Sequence, residues 1–257
     1  MARARQVSSA DSGAARSTNA AANANVCGVS ADSSASVAAD RMLPQTCVTG
    51  SDGALGIIEP IFSRVLNRTS AAKLLRLTTD GTFTEFAIPG GSSKSTTPNP
   101  GSIALGPDGA VWFTDSFERL IWRAATNGAL TSFPTNIGAP VAITAGPDGA
   151  LWFTASQLVR VSIGGVVSAF PVPSGANGSS LGSLAAGSDG NLWLSAYDLT
   201  LSAGQIVRST TAGSTSKTLF PTFVEIDDIA RGPDGAVWFA ETNIQSGATA
   251  IGRIAVQ

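Results

Sequence analysis

Carboxylates are the side chains in this sequence best suited to chemistry. The 257 residues include 18 Asp and Glu but no His, which excludes a Ser/His/Asp or Cys/His relay, an imidazole proton shuttle and a His metal ligand. Two cysteines are too few for a four-ligand zinc or iron–sulfur site. A bound metal would therefore need oxygen ligands, which favours Mg²⁺ or Ca²⁺.

Of the nine acids outside both the N-terminal segment and the Asp-Gly turns, eight lie in connections that we assign below to one face. They are Glu59, Asp115, Glu118, Asp198, Glu225, Asp227, Asp228 and Glu241. Carboxylates that converge at the mouth of a channel suit an oxygen-ligated cation, whereas the alternative is that loops carry acids for solubility alone.

We assign candidate roles by position to these acids and to two residues near them in the sequence, Tyr197 and Asn243. Glu241 and Tyr197 are the candidate catalytic groups, and Glu241, Asp227 and Asp228 are the candidate metal ligands. Asn243, beside Glu241, joins the candidate ligand-binding face. The other members of that face are Glu59, Asp115, Glu118, Asp198 and Glu225.

A repeated turn positions these residues. The pattern Gly, then Pro or Ser, then Asp-Gly occurs five times, with Asp at 52, 108, 148, 189 and 234, and the successive steps are 56, 40, 41 and 45 residues. A repeat of 40 to 45 residues with short alternating strands is typical of a β-propeller. We therefore predict an all-β propeller over residues 41–257, with five recognisable repeats.

The third repeat shows the predicted blade. Residues 141–145 form a first strand, Asp148-Gly149 a tight hairpin, and residues 150–154 the returning strand. Two more strands follow at 158–161 and 166–170, which makes a four-stranded antiparallel blade. In such a blade, the entry to the first strand and the exit from the second lie at the same end, around the central channel.

The sequence does not decide which segment completes the last blade and closes the propeller ring. Residues 1–40 are rich in Ala and Ser and contain no aromatic residue, which predicts a largely disordered segment, with a helix as the alternative. The last repeat is one strand short at Gln257. Residues 34–39 are the nearest candidate for the closing strand, although they are poor in branched and aromatic residues.

Two residue types recur in the repeats and have structural explanations. Tryptophan occupies the second strand in four repeats, which predicts packing between blades, while Gly56 stands in its place in the first repeat. Arginine recurs on every third strand, which predicts an ion pair or a carbonyl contact between blades. These residues are Trp112, Trp152, Trp193 and Trp238, and Arg76, Arg123, Arg160, Arg208 and Arg253.

The repeat resembles that of the streptogramin B lyases, the virginiamycin B lyase family, and of NHL-type propellers. The residues that carry the resemblance are Gly-Pro-Asp-Gly, an apolar-Trp-Phe-Thr strand, Ile-Gly-Arg-Ile at 251–254 and Phe-Pro at 133–134 and 170–171. The resemblance covers about 210 residues. It implies a seven-bladed ring and a Mg²⁺-dependent elimination that opens a cyclic depsipeptide antibiotic, with histidine in proton transfer. This sequence departs from it by having five repeats and no histidine.

Three functions are compatible with these observations. One is a ligand-binding or scaffold propeller with weak or no lyase activity, whose partner is a small molecule or peptide at the channel mouth. The alternatives are a lyase that opens type B streptogramins and a divalent-metal-dependent, lactonase-like hydrolase. A formal charge of −2 argues against nucleic acid as a partner.

The compartment and the redox state of the cysteines stay open. No stretch has the apolar length of a signal peptide core or a membrane span, which predicts a soluble protein with no membrane partner. Cys27 and Cys47 could form one disulfide or remain two buried thiols.

Overall fold

The computed structural model describes residues 46–63, 68–89, 100–173 and 179–256. Regular structure in these ranges consists of nineteen strands in five antiparallel sheets, with no helix. The predicted all-β propeller of four-stranded blades is confirmed. No helix among the described residues has the length and apolar character needed to cross a membrane.

Each sheet is one blade, with its strands in chain order across the sheet, and the first strands of neighbouring blades are in contact. Blade one contains β1 (Thr46–Thr49), β2 (Leu55–Ser63), β3 (Arg68–Leu77) and β4 (Phe83–Ala87). Blade two contains β5 (Pro100–Leu105), β6 (Val111–Asp115), β7 (Leu120–Ala124) and β8 (Leu130–Pro134). Blade three contains β9 (Ile143–Ala145), β10 (Leu151–Thr154), β11 (Leu158–Val161) and β12 (Val167–Phe170).

The last two blades differ in strand number. Blade four contains β13 (Ser179–Ala186), β14 (Leu192–Asp198), β15 (Ala203–Ser209) and β16 (Thr215–Thr222). Blade five contains only β17 (Val224–Arg231), β18 (Val237–Asn243) and β19 (Thr249–Ile254). Closure between blade five and blade one is not shown within the described residues, and the candidate closing strand at 34–39 lies outside them.

The Asp-Gly turn joins the first two strands of each blade. In blade two, the amide N–H of Gly106 donates to the carbonyl of Ala110 at 2.8 Å, and that of Gly109 donates to the carbonyl of Gly106 at 3.0 Å. Gly109 has φ of 75°, which a residue with a Cβ rarely adopts. Asp108 Oδ1 accepts the N–H of Ala110 at 3.3 Å, so both residues of the motif serve the turn.

Neighbouring blades pack through apolar clusters and a hydroxyl on the second strand. Trp112 is buried against Leu151 and Phe153 of the next blade. The buried Thr154 hydroxyl accepts the N–H of Ala142 at 3.1 Å and donates to the carbonyl of Gly182, in the following blade, at 2.7 Å. These contacts fix the inner strands around the channel.

Cys47 lies in β1, buried in blade one, and it is disulfide-bonded. The only other cysteine in the sequence is Cys27, which falls outside the described residues. Of the two alternatives left open by the sequence, the structure therefore selects the disulfide for Cys47.

Candidate ligand-binding face

One end of the propeller carries the connections that leave each second strand. Because the strands alternate in direction, the connections β6–β7, β10–β11, β14–β15 and β18–β19 lie at the same end as the segments that join one blade to the next. We call this end the upper face. The Asp-Gly turns lie at the opposite end.

Three predicted members of the ligand-binding face hold its turns. Asp115 Oδ1 accepts the N–H of Glu118 at 3.2 Å, and Asp198 Oδ1 accepts the N–H of Thr200 at 2.9 Å. Asn243 Oδ1 likewise accepts the N–H of Ser246 at 2.9 Å. Each of the three residues ends its second strand, and the two aspartates are fully buried. Their position gives them a structural role in shaping the upper face.

The three candidate metal ligands lie on paired segments of blade five but bond different partners. Asp227 accepts a hydrogen bond from the hydroxyl of Thr242 at 2.6 Å. Asp228 accepts hydrogen bonds from the hydroxyl of Ser183 on blade four and from the N–H of Ile229. Glu241 lies opposite Ile226 across β17 and β18. Within the described ranges, no three His, Cys, Asp or Glu side chains form a group that could hold a metal ion.

The other predicted residues are spread over the upper half of the blades. Glu59 lies in β2 opposite Lys73, and Glu225 is exposed in β17. Tyr197 is half-buried near the end of β14, on a different blade from Glu241. Glu118 is half-buried in the turn after β6, and its Oε1 atom is buried without a hydrogen-bond partner.

Exposed apolar side chains on the upper face were missed by the sequence interpretation, which followed the acids. They occupy turns and inter-blade segments, where Gly, Asn, Asp and Ser are the usual residues. The apolar residue types at these turn positions were the available signal. The exposed residues are Phe117, Val141, Leu199, Leu201, Phe223 and Ile244.

Backbone hydrogen bonds bring together the segments that carry four of these side chains. The N–H of Phe223 donates to the carbonyl of Ser202 at 2.6 Å, and the N–H of Ile244 donates to the carbonyl of Phe223 at 2.8 Å. The turn after β14, the segment between blades and the turn after β18 therefore meet. We call the group of Leu199, Leu201, Phe223 and Ile244 the apolar patch.

The backbone at the apolar patch is strained. Phe223 has φ of 65° and Ser202 has φ of 50°, in the left-handed region that a bulky side chain disfavours. Such strain persists only where surrounding structure imposes it, and it concentrates at functional sites. Strain and exposed apolar area therefore coincide at the meeting point of blades four and five.

The recurring arginines serve the opposite end, within their own blades. In blade three, Arg160 Nε donates to Asp148 Oδ2 at 2.6 Å, and Trp152 Nε1 donates to Asp148 Oδ1 at 2.9 Å. The prediction that these arginines bridge neighbouring blades is wrong. The reason is that the Asp of the hairpin lies beside the third strand of the same sheet.

These contacts lower the pKa of the turn aspartates. Partial burial raises the pKa of Asp148, but the hydrogen bonds from Arg160 and Trp152 outweigh it and the pKa falls below its usual value. In blade five, the hydrogen bonds from Arg253 and Trp238 lower the pKa of Asp234 to about 2. The five turn aspartates are thus held ionised for structure, which sets them apart from the upper face.

Repeated antiparallel blades define this protein as a β-propeller. The model of the virginiamycin B lyase family matches residues 33–257, so the chain belongs to that family. No curated protein sequence matches this chain.

Solved structures agree with this assignment. The chain is 25% identical to virginiamycin B lyase from Staphylococcus aureus and superposes on it with a TM-score of 0.60. The match covers 82% of this chain and 70% of that protein. A catalytically inactive histidine-to-alanine variant of that lyase, solved with quinupristin, matches at 25% identity and a TM-score of 0.59, with 80% and 68% coverage. A putative gluconolactonase, at 18% identity, TM-score 0.51 and coverage of 82% and 81%, shows the fold alone.

Proposed function

We propose that this protein is a ligand-binding propeller that holds an apolar cyclic depsipeptide or a similar macrocycle on its upper face and opens it slowly or not at all. The observation that carries the proposal is the absence of histidine from the whole sequence. An elimination needs a group that takes a proton from carbon, and positioned acid–base groups contribute on the order of 10²- to 10⁴-fold to such steps.

The staphylococcal relative supports the separation of binding from catalysis. Its histidine-to-alanine variant is catalytically inactive and was nevertheless solved with quinupristin. Loss of one histidine therefore left a propeller that accommodates the ligand. The present chain lacks histidine at every position, so we expect it to behave as that variant does.

The apolar patch supports the ligand class. A macrocyclic depsipeptide carries few charges and gains affinity mainly from burial of apolar surface. Leu199, Leu201, Phe223 and Ile244 offer such surface, whereas Asp115 and Asp198 are buried in turns and present none to a ligand. We therefore place the main ligand contacts on the patch.

Calorimetric titration with quinupristin tests this proposal. We expect binding to the full chain and a loss of about tenfold or more in affinity for the double variant Leu199→Ser, Leu201→Ser. The matched control is Val166→Ser, because Val166 is 67% exposed, compared with 51% for Leu199, but lies in the connection at the opposite end. An equal loss in the control, or no binding at all, would refute the placement.

Catalysis is tested separately with the same ligand. The protein is incubated with quinupristin and Mg²⁺, and ring opening is followed by chromatography and tandem mass spectrometry, because elimination leaves the mass unchanged. We expect the ligand to remain cyclic. Efficient opening that disappears in Glu241→Gln would instead identify a histidine-free lyase with Glu241 as its base.

The divalent-metal hypothesis remains a prediction. A site built on Glu241, Asp227 and Asp228 requires Mg²⁺ or Ca²⁺ to bind stoichiometrically, and Asp227→Asn to weaken that binding. Titration of the protein with each cation measures both. Turnover of a lactone that stops on chelation would favour the lactonase-like alternative over a binding propeller.

A further inference from the structure

Blade one lacks the tryptophan that fills the corresponding position of the other blades. Gly56 pairs with Arg76, as Trp112, Trp152, Trp193 and Trp238 pair with Arg123, Arg160, Arg208 and Arg253. A cleft lies where that indole would be, at the interface of blades one and two. Its walls include Gly50, Asp52, Gly56, Arg76, Phe86 and Val111, which we call the blade-one slot.

The other blades show how an indole occupies this position. In blade three, the Trp152 ring packs on Phe170 with centroids 5.1 Å apart and donates its N–H to Asp148 at 2.9 Å. It also covers Gly146, where an added Cβ would come within 2.2 Å of the indole Cδ1. The indole N–H is bonded to the turn aspartate at 3.0 Å in blade two and 3.1 Å in blade five.

The blade-one slot keeps the same walls without the ring. The three atoms nearest to an added Cβ at Gly50 belong to Asp52 and to a backbone carbonyl, whereas an indole is among the nearest atoms at the corresponding glycine of every other blade. Asp52 Oδ2 accepts Arg76 at 2.5 Å, and Oδ1 accepts the N–H of Ala54 at 3.0 Å. In blade two, the equivalent Oδ1 atom accepts both a turn N–H and an indole N–H.

The size and access of the slot favour a small free ring. The space inside the cleft and its open mouth is about 390 Å³. The centre of a water molecule can reach about 30 Å³ of the cleft. The Ser51 hydroxyl donates to the carbonyl of Gly109, a wall residue, at 3.1 Å and narrows one side. A ring would therefore enter from the mouth, beside the half-exposed Arg76, with its N–H toward Asp52.

The chain itself has no ring to place there. All of its Trp, Tyr and Phe residues fall within the described ranges, and none of the residues outside those ranges is aromatic. Every other tryptophan belongs to a strand elsewhere in the sheets. No residue of this sequence outside the described ranges can therefore supply a ring to the slot.

We propose that the blade-one slot binds a small free heteroaromatic ligand of the indole type, with its ring between Phe86 and Val111 and its N–H donated to Asp52. This site lies at the end of the propeller opposite the upper face, so it is independent of the ligand proposed above. Its specificity comes from the carboxylate, which accepts an N–H and repels a ring oxygen.

Titration of the full-length protein with indole, followed by methyl NMR, tests the site. We expect one binding site with indole-to-methyl contacts at Val111 and Leu74, and about tenfold weaker binding of benzofuran, which has the same shape but no N–H. Equal binding of both rings, contacts at other methyl groups or no binding at millimolar indole would overturn the proposal.

Two variants and a peptide sharpen the test. Gly56→Trp should reduce indole affinity at least tenfold by filling the slot, while Gly56→Ala, whose Cβ makes ordinary contact with Val111 at 3.4 Å, should leave it within threefold. If Gly56→Trp does not fold, the contacts between indole and the Val111 methyl groups in the unsubstituted protein still decide whether the slot binds the ring. Tighter binding of a Trp-containing tripeptide than of indole would assign the slot to a polypeptide partner and refute the free ligand.

Discussion

Blades three and five use the same residues in different surroundings. Trp152 in blade three is 0% exposed, packed on Phe170 and against Leu192 of the next blade. Trp238 in blade five makes the same hydrogen bond to its turn aspartate but is 38% exposed, and Ile251 on the neighbouring strand is 76% exposed. The hydrogen bond of the motif therefore forms in blade five, where the described residues include no following blade, but the indole is not buried there.

The threonine hydroxyl on the second strand of blade three, which is missing from blade five, shows the same difference between the two blades. Thr154 joins blade three to blade four through its bond to the carbonyl of Gly182. Blade five has Ala240 at the corresponding position, where no hydrogen bond to another blade can form. The arginine–aspartate contact within a blade is thus repeated in all five blades, whereas contacts between blades depend on what lies next to each sheet.

The largest expected effect separates the two tryptophans. Trp152→Ala should cost about 3 to 5 kcal/mol of unfolding free energy, because it removes a fully buried ring and leaves a cavity. Trp238→Ala should cost less than half as much, since its ring is already partly in water. Urea unfolding of both variants measures the difference, and equal costs would mean that another element covers Trp238 in solution.

The hydroxyl between blades should have the next largest effect. Thr154→Val keeps the shape of the side chain but leaves the N–H of Ala142 and the carbonyl of Gly182 without this partner, which should cost about 1 to 3 kcal/mol. Ala240→Thr in blade five is the matched control and should change the unfolding free energy by less than about 0.5 kcal/mol. A neutral Thr154→Val variant would show that the hydroxyl does not join the blades energetically.

Truncation tests whether the upstream segment covers blade five. Deletion of residues 1–20 should leave the melting temperature unchanged. If residues 34–39 supply the closing strand, deletion through Ala39 should lower it by about 2 to 4 °C, the shift that roughly 1 kcal/mol produces in a domain of this size. Because this deletion also removes Cys27, its melting temperature is compared with that of the full-length variant Cys27→Ser. Acrylamide quenching of Trp238 fluorescence should rise only in the longer deletion, and identical behaviour of the two truncations would exclude that strand.

Acidification should reveal the smallest effect, the loss of stability from protonation of Asp234. The pKa of Asp234 is lowered to about 2, first by the hydrogen bond from Arg253, so its contribution to stability is complete above about pH 4 and is lost as pH falls toward 2. Asp234→Asn should therefore flatten the fall in melting temperature between pH 4 and pH 2. Arg253→Gln should also reduce the fall, because it returns the pKa of Asp234 toward its ordinary value, and an unchanged acid profile in both variants would contradict the shift.

Much of the fold was predictable, because the information for each blade is local. Asp-Gly turns and alternating strands identify the hairpins, and the recurring tryptophans identify the packing surfaces of blades two to four. The prediction failed for Trp238, because its burial requires a neighbouring sheet. It also failed for the arginines, since the pattern shows that they recur but not that the partner aspartate lies in the same blade.

The candidate site was less predictable. The sequence predicted the end of the blades at which Asp115, Asp198 and Asn243 lie, but it could not show that their side-chain oxygens accept turn N–H groups. It also could not show that Phe223 and Ile244, 21 positions apart, meet through a backbone hydrogen bond. Residues far apart in the chain come together only after the blades have packed.

The sequence by itself determined the blade, its Asp-Gly turn and the absence of histidine chemistry, because each of these depends on residues within about 20 positions or on composition. Only the tertiary structure decided which tryptophans are buried and which segments with apolar residues meet on the upper face. The physical reason is that hairpin hydrogen bonds form between neighbours in the chain, whereas burial and convergence depend on which sheets pack against each other.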